Sequence, residues 1–180
     1  MLEEVKKAIE EIYLNGNRDL FISNCKKDIG FLNDLLEILK TEVLNFDICA
    51  NSSEPMIEIR FSVNCFKHND GEVKYVSILM LNKIVDCFYL QHEFSLNNPD
   101  PDGMDSHLDG FRDEAYSKKQ FDLGEKIISY LKSKGYKRLS YADMEEVFPG
   151  IRKCEDRDDT NQMTVNNALF MDVWNLCNSN

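Results

Sequence analysis

The amino-acid sequence predicts one α+β domain spanning residues 1–180: N-terminal helices, a three- to four-stranded antiparallel meander, and C-terminal helices. Three observations carry that expectation. Apolar residues up to Val43 recur every three or four positions, those from Ile57 onward alternate with polar ones, and helical spacing returns after Asp113. No internal repeat or linker interrupts the 180 residues, a length that suits a single core.

Leu2, Val5, Ile9 and Ile12 lie on one face of a helix over 2–14, which Gly16-Asn17 ends. Phe21, Cys25, Ile29, Leu32, Leu36, Leu39 and Val43 then predict one long amphipathic helix over 18–44, with Gly30 inside it at a cost in helix propensity. Ile57, Ile59, Phe61, Val63 and Cys65 alternate with Glu58, Arg60, Ser62 and Asn64, a half-buried strand that places Cys65 on its apolar side. Asp70-Gly71 suits a tight hairpin into a second strand over 72–81. That strand is apolar on both faces, as a central or doubly covered strand is, and Asn82-Lys83 turns the chain into a third over 84–96. From Asn97 to Gly110, two prolines, two glycines and four aspartates predict a long loop. Leu123, Ile127 and Leu131 mark the next helix, which Gly135 stops. Ser140 opens a short helix ended by Pro149-Gly150, 151–163 reads as a charged loop, and Thr164 caps a last helix carrying Val165, Ala168, Leu169, Val173, Trp174 and Leu176.

Thirty-two acids against 21 bases give a net charge of −11. That balance repels nucleic acid and anionic membranes, whose binding requires neutralised phosphates, and attracts a cationic partner. No apolar run approaches the roughly 18 residues of a membrane span, and Met1–Lys7 lacks the cationic start and apolar run of a secretory signal. Six cysteines without close pairs read as buried thiols of a reducing, cytoplasmic compartment. The charge is uneven. Residues 93–114 hold seven acids and one base, 115–142 hold two acids and seven bases, and 143–160 hold seven acids and three bases.

No pattern specifies catalysis. The run Asp100-Pro101-Asp102-Gly103-Met104-Asp105 misses the EF-hand loop, with Met104 at the fifth place and Gly103 two places early. Cys65 and His68 are the only close Cys/His neighbours, and a structural zinc site needs a second such pair. His92 and His107 show no partner in the sequence, and there is no phosphate loop, G-x-S-x-G or H-E-x-x-H. No catalytic residue, metal or cofactor is expected.

In its small size, its acidic segments Glu93–Glu114 and Asp143–Asp159, and its meander flanked by helices, the chain resembles immunity proteins of bacterial polymorphic-toxin and contact-dependent growth-inhibition systems. The resemblance implies a non-enzymatic inhibitor that occludes the active site of a cognate basic toxin domain, often a nuclease. The residues expected to meet that partner are Asp100, Asp102, Asp105, Asp109, Asp113 and Glu114 with Phe111 as an apolar anchor, and Glu155, Asp156, Asp158 and Asp159 in the second acidic stretch. Two other readings fit the same residues: a metal-dependent enzyme with a carboxylate site in 100–109, and a regulatory or scaffold module.

Overall fold

The alternation that begins at Met56 builds a long hairpin and sets the frame of the molecule. The computed structural model describes residues 2–68, 71–96, 108–152, 162–174 and 176–177, with backbone alone at 68, 71, 108, 109 and 152. Strands β1 (Asn45–Ala50), β2 (Met56–His68), β3 (Gly71–Asn82), β4 (Cys87–Leu96) and β5 (Leu108–Arg112) form an antiparallel sheet in chain order. β6 (Lys137–Leu139) adds a parallel pairing beside the start of β4. A separate two-stranded sheet joins β7 (Val147–Arg152) to β8 (Gln162–Thr164). The meander is therefore the centre of a larger sheet, and helices are interleaved with its strands as well as flanking it.

Each face of the sheet carries its own core, because successive side chains point to opposite sides. On one face Ile59, Leu79 and Leu90 stand in cross-strand register, and they pack with Leu35 and Leu39 of α3 (Leu32–Glu42) and Ile127 and Leu131 of α4 (Lys118–Ser133). On the other face Met56, Met80, Cys87 and Tyr89 meet α1 (Glu3–Ile9), which continues as a π-helical turn over Glu10–Leu14, and Phe21 of α2 (Arg18–Cys25). Phe148 of β7 and Leu169 of α6 (Val165–Phe170) complete that second core, after the short α5 (Tyr141–Met144).

Two cores explain where the sequence expectation fails. The stripe over 18–44 is not one helix: it breaks at residues 26–31 between α2 and α3. Phe21 and Cys25 belong to one core, and Leu35 and Leu39 to the other, so a straight helix could not bury both. Cys65 is exposed instead of packed in the core. A register shift between Ser62 and Asn64 inserts an extra residue at Val63, and one residue of slip moves every later side chain to the other face. The final helix stops at Phe170, short of Val173 and Trp174, though Trp174 still packs edge-on against Tyr13 at 4.9 Å. The helix at 141 is a single turn, and Pro149-Gly150 lies within strand β7. Of the five described cysteines, all free thiols, Cys25 and Cys87 are buried while Cys49 and Cys65 are exposed. No described helix is long and apolar enough to cross a membrane.

Candidate protein-binding surface

Two adjacent residues, Asn82 and Lys83, position the walls of an open groove. Asn82 is fully buried at the end of β3, and its Oδ1 accepts from Ile84 N (2.9 Å) and Val85 N (2.7 Å) to shape the turn into β4. Its Nδ2 donates to the carbonyl of Leu169, which fixes the end of α6 against the sheet. The ammonium of Lys83 donates to the carbonyls of Cys25 (2.9 Å), Asn51 (2.7 Å) and Glu54 (3.1 Å), so the β1–β2 connection is held by one cation turned into backbone oxygens. Between these two clamps lies a groove of about 470 Å³. Met56, Phe170, Met171 and Val173 give it an apolar floor and side, and Cys49 of β1 borders it.

The charged residues lining the groove are Glu54, Glu58 and Asp172. Asp172 accepts from Leu176 N (2.7 Å) and Cys177 N (2.9 Å), which orients its carboxylate without neutralising it. None of the three forms an ion pair with a described cation. An apolar slot whose charged lining residues are all carboxylates suits a Lys or Arg side chain, whose methylene stem prefers apolar surface and whose head prefers carboxylates. Its residues come from β1, the β1–β2 connection, β2, the end of α6 and the segment after it, and no continuous motif marks it. The one sequence cue was the apolar Met171 beside Asp172.

The residues expected from sequence to meet a partner are placed as follows. Asp100, Asp102, Asp105, Glu155, Asp156, Asp158 and Asp159 lie outside the described residues. The backbone of Asp109 pairs with Ser95, since 108–110, expected as loop, belong to β5. Phe111 is 61% exposed and lies opposite Glu93 in the pairing of β5 with β4. Glu114 is exposed and 3.6 Å from Arg112. Asp113 is engaged within the fold: its Oδ2 accepts from Tyr141 N (2.9 Å) at the start of α5, and its carbonyl accepts from Arg138 Nη2 (2.6 Å). The described flanks of the two acidic stretches belong to different sheets, β4 and β5 for one, β7 and β8 for the other. Two of the seven bases of 115–142 pair with acids outside the acidic stretches, Lys126 with Glu42 at 2.7 Å and Lys137 with Glu4.

His92 does not stand alone. Its Nδ1 shares a 2.8 Å hydrogen bond with Ser77 Oγ beneath α4, and both residues are buried. Burial, and then the charge of Arg138, hold its pKa down at about 4, so it is a neutral imidazole at physiological pH. Ser77 is fully buried, which withholds its hydroxyl from any substrate. The pair links neighbouring strands and supplies no nucleophile. Among the described residues no group of three or more His, Cys, Asp or Glu could hold a metal ion. The expected sites around Asp100–Asp109 fall mainly outside the described residues.

No protein-family model matches the chain, and searches of curated proteins and of solved structures find nothing significantly similar.

Proposed function

We propose that this chain is a non-enzymatic inhibitor of the immunity type, which docks a cognate basic toxin domain and covers its active site. The observation that carries the reading is the groove beside β1, apolar within and lined by Glu54, Glu58 and Asp172 with no described cation among them. It adds a localised anionic surface to a chain whose net charge is already −11. A nuclease presents lysines and arginines because it must hold phosphates, so a carboxylate surface is complementary to that kind of enzyme. Complementary charge steers the encounter, and apolar anchors such as exposed Phe111 and Met171 slow dissociation.

In this reading the acids at Asp100, Asp102 and Asp105 contribute to steering. The test is binding of the purified chain to the basic domain encoded beside its gene. Reversing the charge at those three positions should slow association and weaken its dependence on salt. An unchanged rate constant would remove that stretch from the interface, and failure of the two proteins to associate would reject the inhibitor reading.

A further inference from the structure

We propose that β1 takes up an extended basic segment of the partner as an added strand, with that segment's Lys or Arg side chains directed toward the groove. This deepens the reading above and rests on it. β1 pairs with β2 alone, and no described strand covers its outer edge. Five of its six residues are exposed, with only Phe46 half-buried, although its sequence Asn45-Phe46-Asp47-Ile48-Cys49-Ala50 is largely uncharged. Natural edge strands are usually blunted by lysine, proline, a bulge or a covering element. Here there is no proline or lysine, the register with β2 is continuous, and Ile48 is 39% exposed. At the opposite edge, β5 is five residues long and carries Asp109, Gly110 and Arg112. The unguarded edge is the one beside the acid-lined groove.

Register fixes what the added strand would present. Cys49 lies opposite Glu58 and Asp47 opposite Arg60, so Asp47 and Cys49 point to the groove side of the sheet. Arg60 is already paired with Glu93 at 2.8 Å. Phe46 and Ile48 point to the other side, since they lie opposite Phe61 and Ile59. A partner strand laid along β1 would therefore meet carboxylates on one face and apolar side chains on the other. The matching pattern alternates basic and apolar residues, with main-chain hydrogen bonds adding affinity and the groove adding selectivity. A second copy of the chain fits less well, because pairing would bring together two molecules each carrying −11.

The probe is a capped heptapeptide alternating Lys and Val, compared with the same peptide N-methylated at every peptide nitrogen, equal in charge and without a main-chain donor for a ladder. Hydrogen exchange of the full chain should slow at 45–50 when the Lys–Val peptide is added, and the N-methylated peptide should bind about tenfold more weakly. Ile48→Lys and Glu54→Lys should each lower affinity for the Lys–Val peptide about tenfold, with an unchanged melting temperature because neither side chain is buried. Equal binding of the two peptides, protection away from β1, or indifference to both variants would overturn strand addition while leaving a cation-binding surface in place. Protection of 45–50 that rises with protein concentration alone would overturn it in favour of a second copy. If neither peptide binds at millimolar concentration strand addition falls, and the inhibitor reading is then decided separately by association with the basic domain.

Discussion

His92 is the residue at which burial has the clearest consequence for behaviour. Its pKa falls from an ordinary 6.5 to about 4, so the unfolded chain binds a proton at a pH where the folded chain does not. Stability from this group is complete above 6.5 and is lost as pH drops through the interval to about 4. The mismatch amounts to about 2 kcal/mol between pH 7 and pH 5. Urea midpoints across that range should therefore fall, and in His92→Gln they should fall less steeply; an equal slope would show that carboxylates alone set the acid sensitivity. A second residue-scale expectation concerns Gly110. A Cβ there would lie 2.6 Å from Cε1 of Phe94, whose ring is held edge-on against Tyr116 at 4.8 Å. Gly110→Ala should cost about 1–3 kcal/mol by overpacking, measured as a shift in the unfolding midpoint. Gly30 has open space where its Cβ would stand, so Gly30→Ala serves as the unstrained comparison.

Helix α4 is tied to the sheet by the same residue that closes its N-terminal cap. Ser117 Oγ accepts from Gln120 N (3.2 Å), and Gln120 Oε1 accepts in return from Ser117 N (3.1 Å). Fully buried Gln120 also donates from Nε2 to the carbonyls of Val76 and Glu93, both at 3.0 Å. Ser117→Ala should cost about 1 kcal/mol, the usual loss of a cap. Gln120→Leu should cost more, about 2–3 kcal/mol, because two strand carbonyls lose a donor and the cap is lost with them; equal losses in chemical denaturation would contradict the tie. Much of this scale was legible in the sequence. The caps at Ser140 and Thr164, the antiparallel pairing of β2 with β3 and the doubly apolar strand around Ile78 follow from local chemistry. The break between α2 and α3 was not legible, since the apolar spacing runs on unbroken while the chain changes from one core to the other. Nor was the shift at Val63, because alternation continues to Cys65 in the sequence and the extra residue shows only in the pairing with β3.

At the scale of the whole molecule, the acidity was plain in the composition, whereas the place where it meets apolar surface was not. The groove joins residues from 49–58 and 170–173, more than a hundred positions apart, which the shared core and the clamps at Asn82 and Lys83 bring together. Asp113 shows the converse: in the sequence it belongs to an acidic run, and in the fold it holds the start of α5. A partner surface therefore depends on carboxylates free of such internal duties, which Glu54 and Glu58 are. The most direct measurement is the association rate of the chain with the basic domain encoded beside its gene, followed as salt is raised. Electrostatic docking predicts a rate that falls at least about tenfold between low and high ionic strength, with a smaller fall in Glu54→Lys/Glu58→Lys. A rate indifferent to salt, or a double variant that associates like the parent chain, would contradict it.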